Sequence, residues 1–184
     1  MDKTRPRLED KYKNEIIPAM MEKFGYKNKL QVPRIKKVTI NMGLGLGAED
    51  KKLIEDAQKE LAMITGQRPV ITRAKKAISN FKIRKGSAIG CAVVLRRNYM
   101  YEFLDRLINV VLPRIKDFRG ISTKAFDQSG NYSLGIREHT IFPELDIDKI
   151  EKVKGMTITI TVGRTKVEES RELLTLFGMP FTRR

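Results

Sequence analysis

The chain is poor in the residues that carry most enzyme chemistry. It has one cysteine, Cys91, so it can close no intramolecular disulfide and can build no thiolate cage for a metal. Within its strand-like surroundings Cys91 reads as a small buried apolar group. It has one histidine, His139. Catalytic use of a histidine needs a nucleophile or an orienting carboxylate in reach. The sequence signals neither, so His139 reads as an ordinary surface or hydrogen-bonding residue. No apolar run approaches the roughly 18–20 residues of a transmembrane helix. The opening stretch MDKTRPRLEDKYKNE lacks the apolar centre of a signal peptide. There is no internal repeat and no low-complexity segment. These absences point to a soluble cytosolic protein with no cofactor and no membrane partner. The most informative absence is of acid: between Glu60 and Glu102 there is no Asp and no Glu.

Cations fill that gap. Residues 68–86 hold Arg68, Arg73, Lys75, Lys76, Lys82, Arg84 and Lys85, and Arg96 and Arg97 follow. The whole chain of 184 residues has 37 Lys and Arg against 22 Asp and Glu, a formal charge of +15. A surface kept only for solubility mixes both signs, because like charges repel the compact state. A field of this sign favours nucleic acid or an anionic membrane surface. Val70 and Ile71 lead into the run, Ala77 and Ile78 interrupt its tip, and Phe81 and Ile83 alternate with Lys82 and Arg84. This pattern predicts two strands, 67–72 and about 80–85, joined by a basic loop, with the second strand apolar on one face and basic on the other. Phe81 is then the candidate for base stacking, and phosphate neutralisation beside an aromatic is the physics of RNA binding. The competing reading is a solvated charged face with Phe81 in the core.

The other elements follow from spacing. Leu8, Tyr12, Ile16, Ala19, Met20 and Phe24 predict a helix over 8–25, broken or kinked at Pro18 and ended by Gly25. RIKKVTINM predicts a strand over 34–42. A helix over about 49–65 carries the stripe Leu53, Ile54, Ala57, Leu61 and Ile64, capped by Gly66. A strand is expected over 88–96, then a helix over about 99–112 capped by Asn98 and closed by Pro113. Residues 114–155 are irregular, with turn signals at Gly120, DQSGN and Phe142-Pro143 and a short strand over 132–136. MTITITV (156–162) alternates strictly. Thr165 with Glu168 reads as a capping box opening the last helix, which Gly178 ends. The expected fold is therefore one α+β domain over 1–184. A mainly antiparallel sheet of about five strands carries helices on one face, and leaves the other face and the basic loop free for RNA.

GLGLGA (43–48) satisfies a dinucleotide-binding fingerprint through Gly43, Gly45 and Ala48, with Glu60 downstream. That reading would make the chain a nucleotide-dependent oxidoreductase. It is disfavoured, because Glu60 falls inside the helix, the next strand carries no acid, and the elements do not alternate as a doubly wound sheet requires. A basic protein lying on an anionic membrane is a third reading. It needs a helix with a cationic face, whereas the basic run alternates like a strand.

LAMITGQRPVITRAKKA (61–77), SNFKIRKG, LPRIKDFRGI, GNYSLGIREH, IFPE and ELLTLFGMPF, in this order, closely resemble the family of bacterial large-subunit ribosomal protein five, which binds 5S rRNA. The resemblance runs from about Arg7 to Phe181. It implies a structural role without catalysis, in which the protein helps attach 5S rRNA to the central protuberance, touches 23S rRNA and neighbours other central-protuberance proteins. By resemblance the 5S rRNA contacts are Asn41, Gln67 and Phe81, joined by the cations Arg68, Lys82, Arg84 and Lys85. Val94 stands where the family usually has a threonine, and it has no hydroxyl to donate. Residues 72–80 resemble the segment that reaches P-site tRNA, with Thr72, Arg73, Lys75, Lys76, Ser79 and Asn80 as contacts. Such a loop can hold a phosphate backbone without reading sequence. Residues 109–147 resemble the part that faces small-subunit protein thirteen in an intersubunit bridge, where Arg114, Arg137 and Glu144 would lie.

Overall fold

The computed structural model describes residues 5–45, 51–81, 83–163 and 165–182. Its elements are α1 (Arg7–Lys11), α2 (Ile17–Phe24), β1 (Ile35–Gly43), α3 (Lys51–Thr65), β2 (Val70–Arg73), β3 (Ala88–Leu95), α4 (Arg97–Arg106), β4 (Tyr132–Ile136), β5 (Met156–Val162) and α5 (Val167–Phe177). The strands form one open antiparallel sheet in the order β2-β3-β1-β5-β4, as the α+β reading expects. The chain divides into two compact units: residues 1–38, 96–134 and 159–184 form the first, and 39–95 and 135–158 the second.

In the first unit, Tyr12–Ile16 forms a π-helical turn that joins α1 to α2, which opens with Pro18 in its first turn. Proline cannot donate to the preceding turn and its ring crowds the carbonyl there, so the helix widens instead of breaking. The same device recurs where the π-helical turn Leu107–Val111 precedes Pro113. Gly25 takes the left-handed cap at φ 68°. Leu8, Ile16, Met20, Leu104, Leu107, Leu173 and Phe177 are buried, and the Tyr12 ring stacks on Phe177 at 5.9 Å. Two expected caps are displaced. The helix α4 begins at Arg97, and Arg96 rather than Asn98 holds the N-cap position. The box at α5 uses Glu169, not Glu168: Lys166 N–H donates to its Oε2 at 3.3 Å, and the Thr165 hydroxyl donates to the same oxygen.

In the second unit, α3 packs on β3 and β2. Ile54, Ala57, Leu61 and Ile64 are buried as the stripe required, together with Ile40, Met42, Cys91, Val93 and Leu95. Burial drives the Cys91 thiol up to about 11, so it stays protonated as an apolar filler. At Gly90 the backbone of β3 comes close to that of β1: a Cβ there would lie 2.3 Å from the Met42 carbonyl oxygen. β2 pairs antiparallel with β3, Ile71 opposite Cys91 and Thr72 opposite Gly90, with a bulge at Thr72/Arg73.

His139 is not at the surface. It is fully buried in the second unit and hydrogen-bonded on both ring nitrogens. Nδ1 accepts the Lys154 backbone N–H at 3.1 Å, which leaves Nε2 to donate to Glu60 Oε2 at 3.0 Å. Lys154 Nζ, also buried, grips both Glu60 oxygens at 2.8 and 2.7 Å. Burial pushes the Glu60 carboxyl up, but the hydrogen bonds from His139 and Lys154 and the Lys154 charge outweigh it and hold it below the usual carboxylate range.

Candidate nucleic-acid interface

The basic run folds as a hairpin, but not as two long strands. Beyond the bulge, Ala74 N–H donates to Ser87 O at 2.9 Å and Gly86 N–H to Ala74 O at 2.9 Å. Ile78 and Ile83 then exchange hydrogen bonds of 2.9 and 3.1 Å as a single bridge. Ser79–Phe81 closes the tip as a 3-10 turn. The expected strand over 80–85 is therefore absent among its described residues, because the tight turn at 79–81 leaves only Ile83 in register with a partner. Lys82 lies outside the described residues.

This geometry exposes the cations. Arg68, Arg73, Lys75, Lys76, Ser79, Asn80, Arg84 and Lys85 are all exposed, and Thr72 is half-buried. Among the described residues none of these cations forms an ion pair within the protein. Arg73 alone has a structural partner: its Nη1 donates to Gly86 O at 3.0 Å and ties the base of the hairpin. The sequence did not signal that role. Phe81 is 66% exposed, so its ring is not a core group. Gln67 follows the Gly66 cap. Its N–H donates to the Thr65 hydroxyl at 3.4 Å, and Gln58 Nε2 donates to Pro69 O at 2.7 Å. These bonds fix the turn and leave the Gln67 side chain exposed.

Strand alternation places the remaining candidates. On β1, Asn41 is exposed between buried Ile40 and Met42, so it points away from the helix-covered face. On β3, half-buried Ala92 and Val94 alternate with buried Cys91, Val93 and Leu95, so Val94 shares that open orientation. Val70, 71% exposed, adds an apolar group opposite Ala92. Asn41, Gln67, Arg68, the hairpin and Phe81 all belong to the second unit. The three bridge candidates are divided: exposed Arg114 lies in the first unit, exposed Arg137 and half-buried Glu144 in the second.

The glycine fingerprint loses its acid in this geometry. Glu60 sits within α3 and is held by His139 and Lys154. β3 lies between β1 and β2, so the two strands that flank α3 are not hydrogen-bonded neighbours as in a dinucleotide-binding βαβ unit. Leu46, Gly47 and Ala48 lie outside the described residues.

Family comparisons agree with the architecture. A model described as ribosomal protein L5 matches residues 28–84, and one described as the C-terminus of the same ribosomal protein family matches residues 88–181. The chain belongs to the ribosomal protein L5 family. Among L5 relatives, the large ribosomal subunit protein uL5 of Carboxydothermus hydrogenoformans is 57% identical over 97% of this chain and 99% of its own. That of Caldanaerobacter subterraneus is 58% identical over 96% and 99%. That of Clostridium kluyveri is 56% identical over 97% and 98%. The L5 models meet at the basic hairpin: the first ends at Arg84 and the second starts where β3 starts, at Ala88.

Proposed function

We propose that this chain is a structural, non-catalytic constituent of the large ribosomal subunit in the cytoplasm, that it binds 5S rRNA and that it helps attach that RNA to the central protuberance. The observation that carries this reading is the exposed, acid-free hairpin beside exposed Phe81 in a member of the L5 family. Asn41, Gln67, Arg68, Phe81, Lys82, Arg84 and Lys85 form the 5S rRNA contact. Neutralised phosphates supply affinity, and Asn41, Gln67 and the Phe81 ring supply groups that can meet bases. Thr72, Arg73, Lys75, Lys76, Ser79 and Asn80 present hydroxyls, an amide and cations for a P-site tRNA backbone. Arg114, Arg137 and Glu144 meet small-subunit protein thirteen, and 23S rRNA and other central-protuberance proteins complete the surroundings.

The test is a filter-binding titration of the full chain against 5S rRNA and an unrelated RNA of equal length, at two salt concentrations. A preference for 5S rRNA that persists at the higher salt is expected. Equal affinity for both RNAs, falling together with salt, would leave only a polycation.

A further inference from the structure

The neighbouring strands β4 and β5 are joined by a long excursion that closes on itself at its neck. His139 N–H donates to Lys154 O at 3.1 Å, and Lys154 N–H returns to His139 Nδ1 at 3.1 Å. Between these two residues the backbone bonds are local. Phe142 donates to His139, Leu145 to Phe142, Lys149 to Asp146 and Ile150 to Ile147, each at 3.2 Å. Phe142 and Leu145 are buried, whereas Ile147 and Val153 stand in solvent. The pair Lys52–Glu151 at 2.6 Å is exposed on both sides and contributes little. The neck is pinned to α3 by half-buried Glu60, whose carboxylate accepts from His139 Nε2 and from Lys154 Nζ. A segment with local bonds, two apolar anchors and one polar clamp is built to open apart from the sheet that carries it.

The charges at this neck balance in one protonation state. The groups that meet there are Glu60 from α3, His139 and Lys154 from the neck, and the Cys91 thiol of β3, which feels both charges of the pair and is kept neutral by burial. Lys154 already offsets Glu60. Because His139 Nδ1 accepts the Lys154 backbone N–H, it has no place for a proton of its own. A proton there would set donor against donor and leave the cluster with one uncompensated positive charge out of water. A proton on Glu60 would leave the same excess on Lys154. Once the neck is open, water solvates the imidazole and the ammonium. Opening is therefore coupled to proton uptake, and acid favours the open form. The closed form is favoured above about pH 6.5, where a solvated imidazole is neutral, and gives way below it. Glu60, held below its usual range, acts with the same sign at lower pH.

We propose that residues 139–154 form a proton-gated flap, clamped by His139, Lys154 and Glu60, which opens in acid while the sheet beneath stays paired. Glu144 rides on this flap, so opening withdraws one of the residues assigned above to the small-subunit contact. The gating itself goes beyond that reading and needs no partner. Hydrogen exchange of the full chain is followed by mass spectrometry from pH 7 to pH 5, with rates corrected for intrinsic exchange. The opening constant of peptides within 140–153 rises about tenfold between pH 6 and pH 5, as one proton per opening requires, and that of β3 changes by less than about twofold. His139→Gln keeps a donor for Glu60 and has no titrating ring, so its flap changes by less than about twofold over the same interval. The chain contains one histidine, so the ring resonances of His139 are assigned without ambiguity and give a readout that needs no variant to fold. At pH 7 they show the neutral ring with its proton on Nε2, and their conversion to imidazolium tracks the exchange of the flap. An equal rise in β3 and in the flap would mean global unfolding and overturn the gate. So would a flap whose exchange ignores pH, a ring that protonates while the flap stays closed, or a His139→Gln flap as sensitive to acid as that of the wild type. Neither RNA nor a partner protein is present, so these outcomes are independent of the ribosomal reading.

Discussion

Replacing Phe81 by alanine separates the two fates of an aromatic at strand spacing. A buried phenylalanine truncated to alanine destabilises a protein by about 3–5 kcal/mol. Phe81 is 66% exposed, so only a third of its surface is out of water. At ~200 Å² for a whole ring and ~25 cal/mol per Å², that third is worth under about 2 kcal/mol. Its position in the 3-10 turn Ser79–Phe81 confines the loss to the hairpin tip. A ring that stacks on a base contributes about 1–3 kcal/mol to binding, which is about 5- to 160-fold in Kd. Phe81→Ala should therefore cost the full chain less than about 2 kcal/mol of stability, short of a core truncation, and weaken 5S rRNA binding by that factor. Phe81→Leu, which keeps apolar bulk but no ring face, should weaken binding similarly. The assays are filter binding and urea denaturation on the same preparations. A fall in stability above about 3 kcal/mol with unchanged RNA affinity would return Phe81 to the core and refute the stacking argument.

Other perturbations test the frame behind that ring. Gly90→Ala places a Cβ 2.3 Å from the Met42 carbonyl oxygen and should lower stability by about 1–3 kcal/mol or more; an unchanged urea midpoint would show that β1 and β3 do not approach as described. Glu60→Gln leaves buried Lys154 without its counter-charge and should cost about 3–5 kcal/mol. Because the Glu60 carboxyl is held below its usual range, the stability it contributes is present above the unfolded carboxylate pKa and is lost as pH falls through the folded one; the wild-type midpoint should drop more than that of Glu60→Gln on acidification, and parallel curves would contradict the pairing. Lys75→Gln with Lys76→Gln should flatten the salt dependence of tRNA binding by about 1.4 for two phosphates at about 0.7 each, without changing the melting temperature; an identical slope would remove these lysines from the contact.

Much of this protein was legible in one dimension. The strands MTITITV and YSLGI were found at their observed limits, and the stripe of α3 was read correctly, because alternation and helical spacing are set by near neighbours. The exposure of the basic run was legible for the same reason, since no acid within the run could pair with it. The misreadings have a common origin. Phe81, Ile83 and Arg84 look like a strand, but strand formation needs a partner, and only Ile83 finds one, at Ile78. Of the two readings of His139, the hydrogen-bonding one holds and the surface one does not, because its partners Lys154 and Glu60 are 15 and 79 positions away.

The sequence by itself determined the sign of the field, the apolar faces of the helices and strands, and the chemical types offered to a partner. These depend on composition and on spacing within a turn or a pleat. The tertiary structure alone decided that Glu60 belongs to His139 and Lys154, that Arg73 ties its own hairpin at Gly86, and that Phe81 stands out from the core. Those are consequences of chain closure: burial and pairing are settled by which distant segments meet, and no local propensity contains that information.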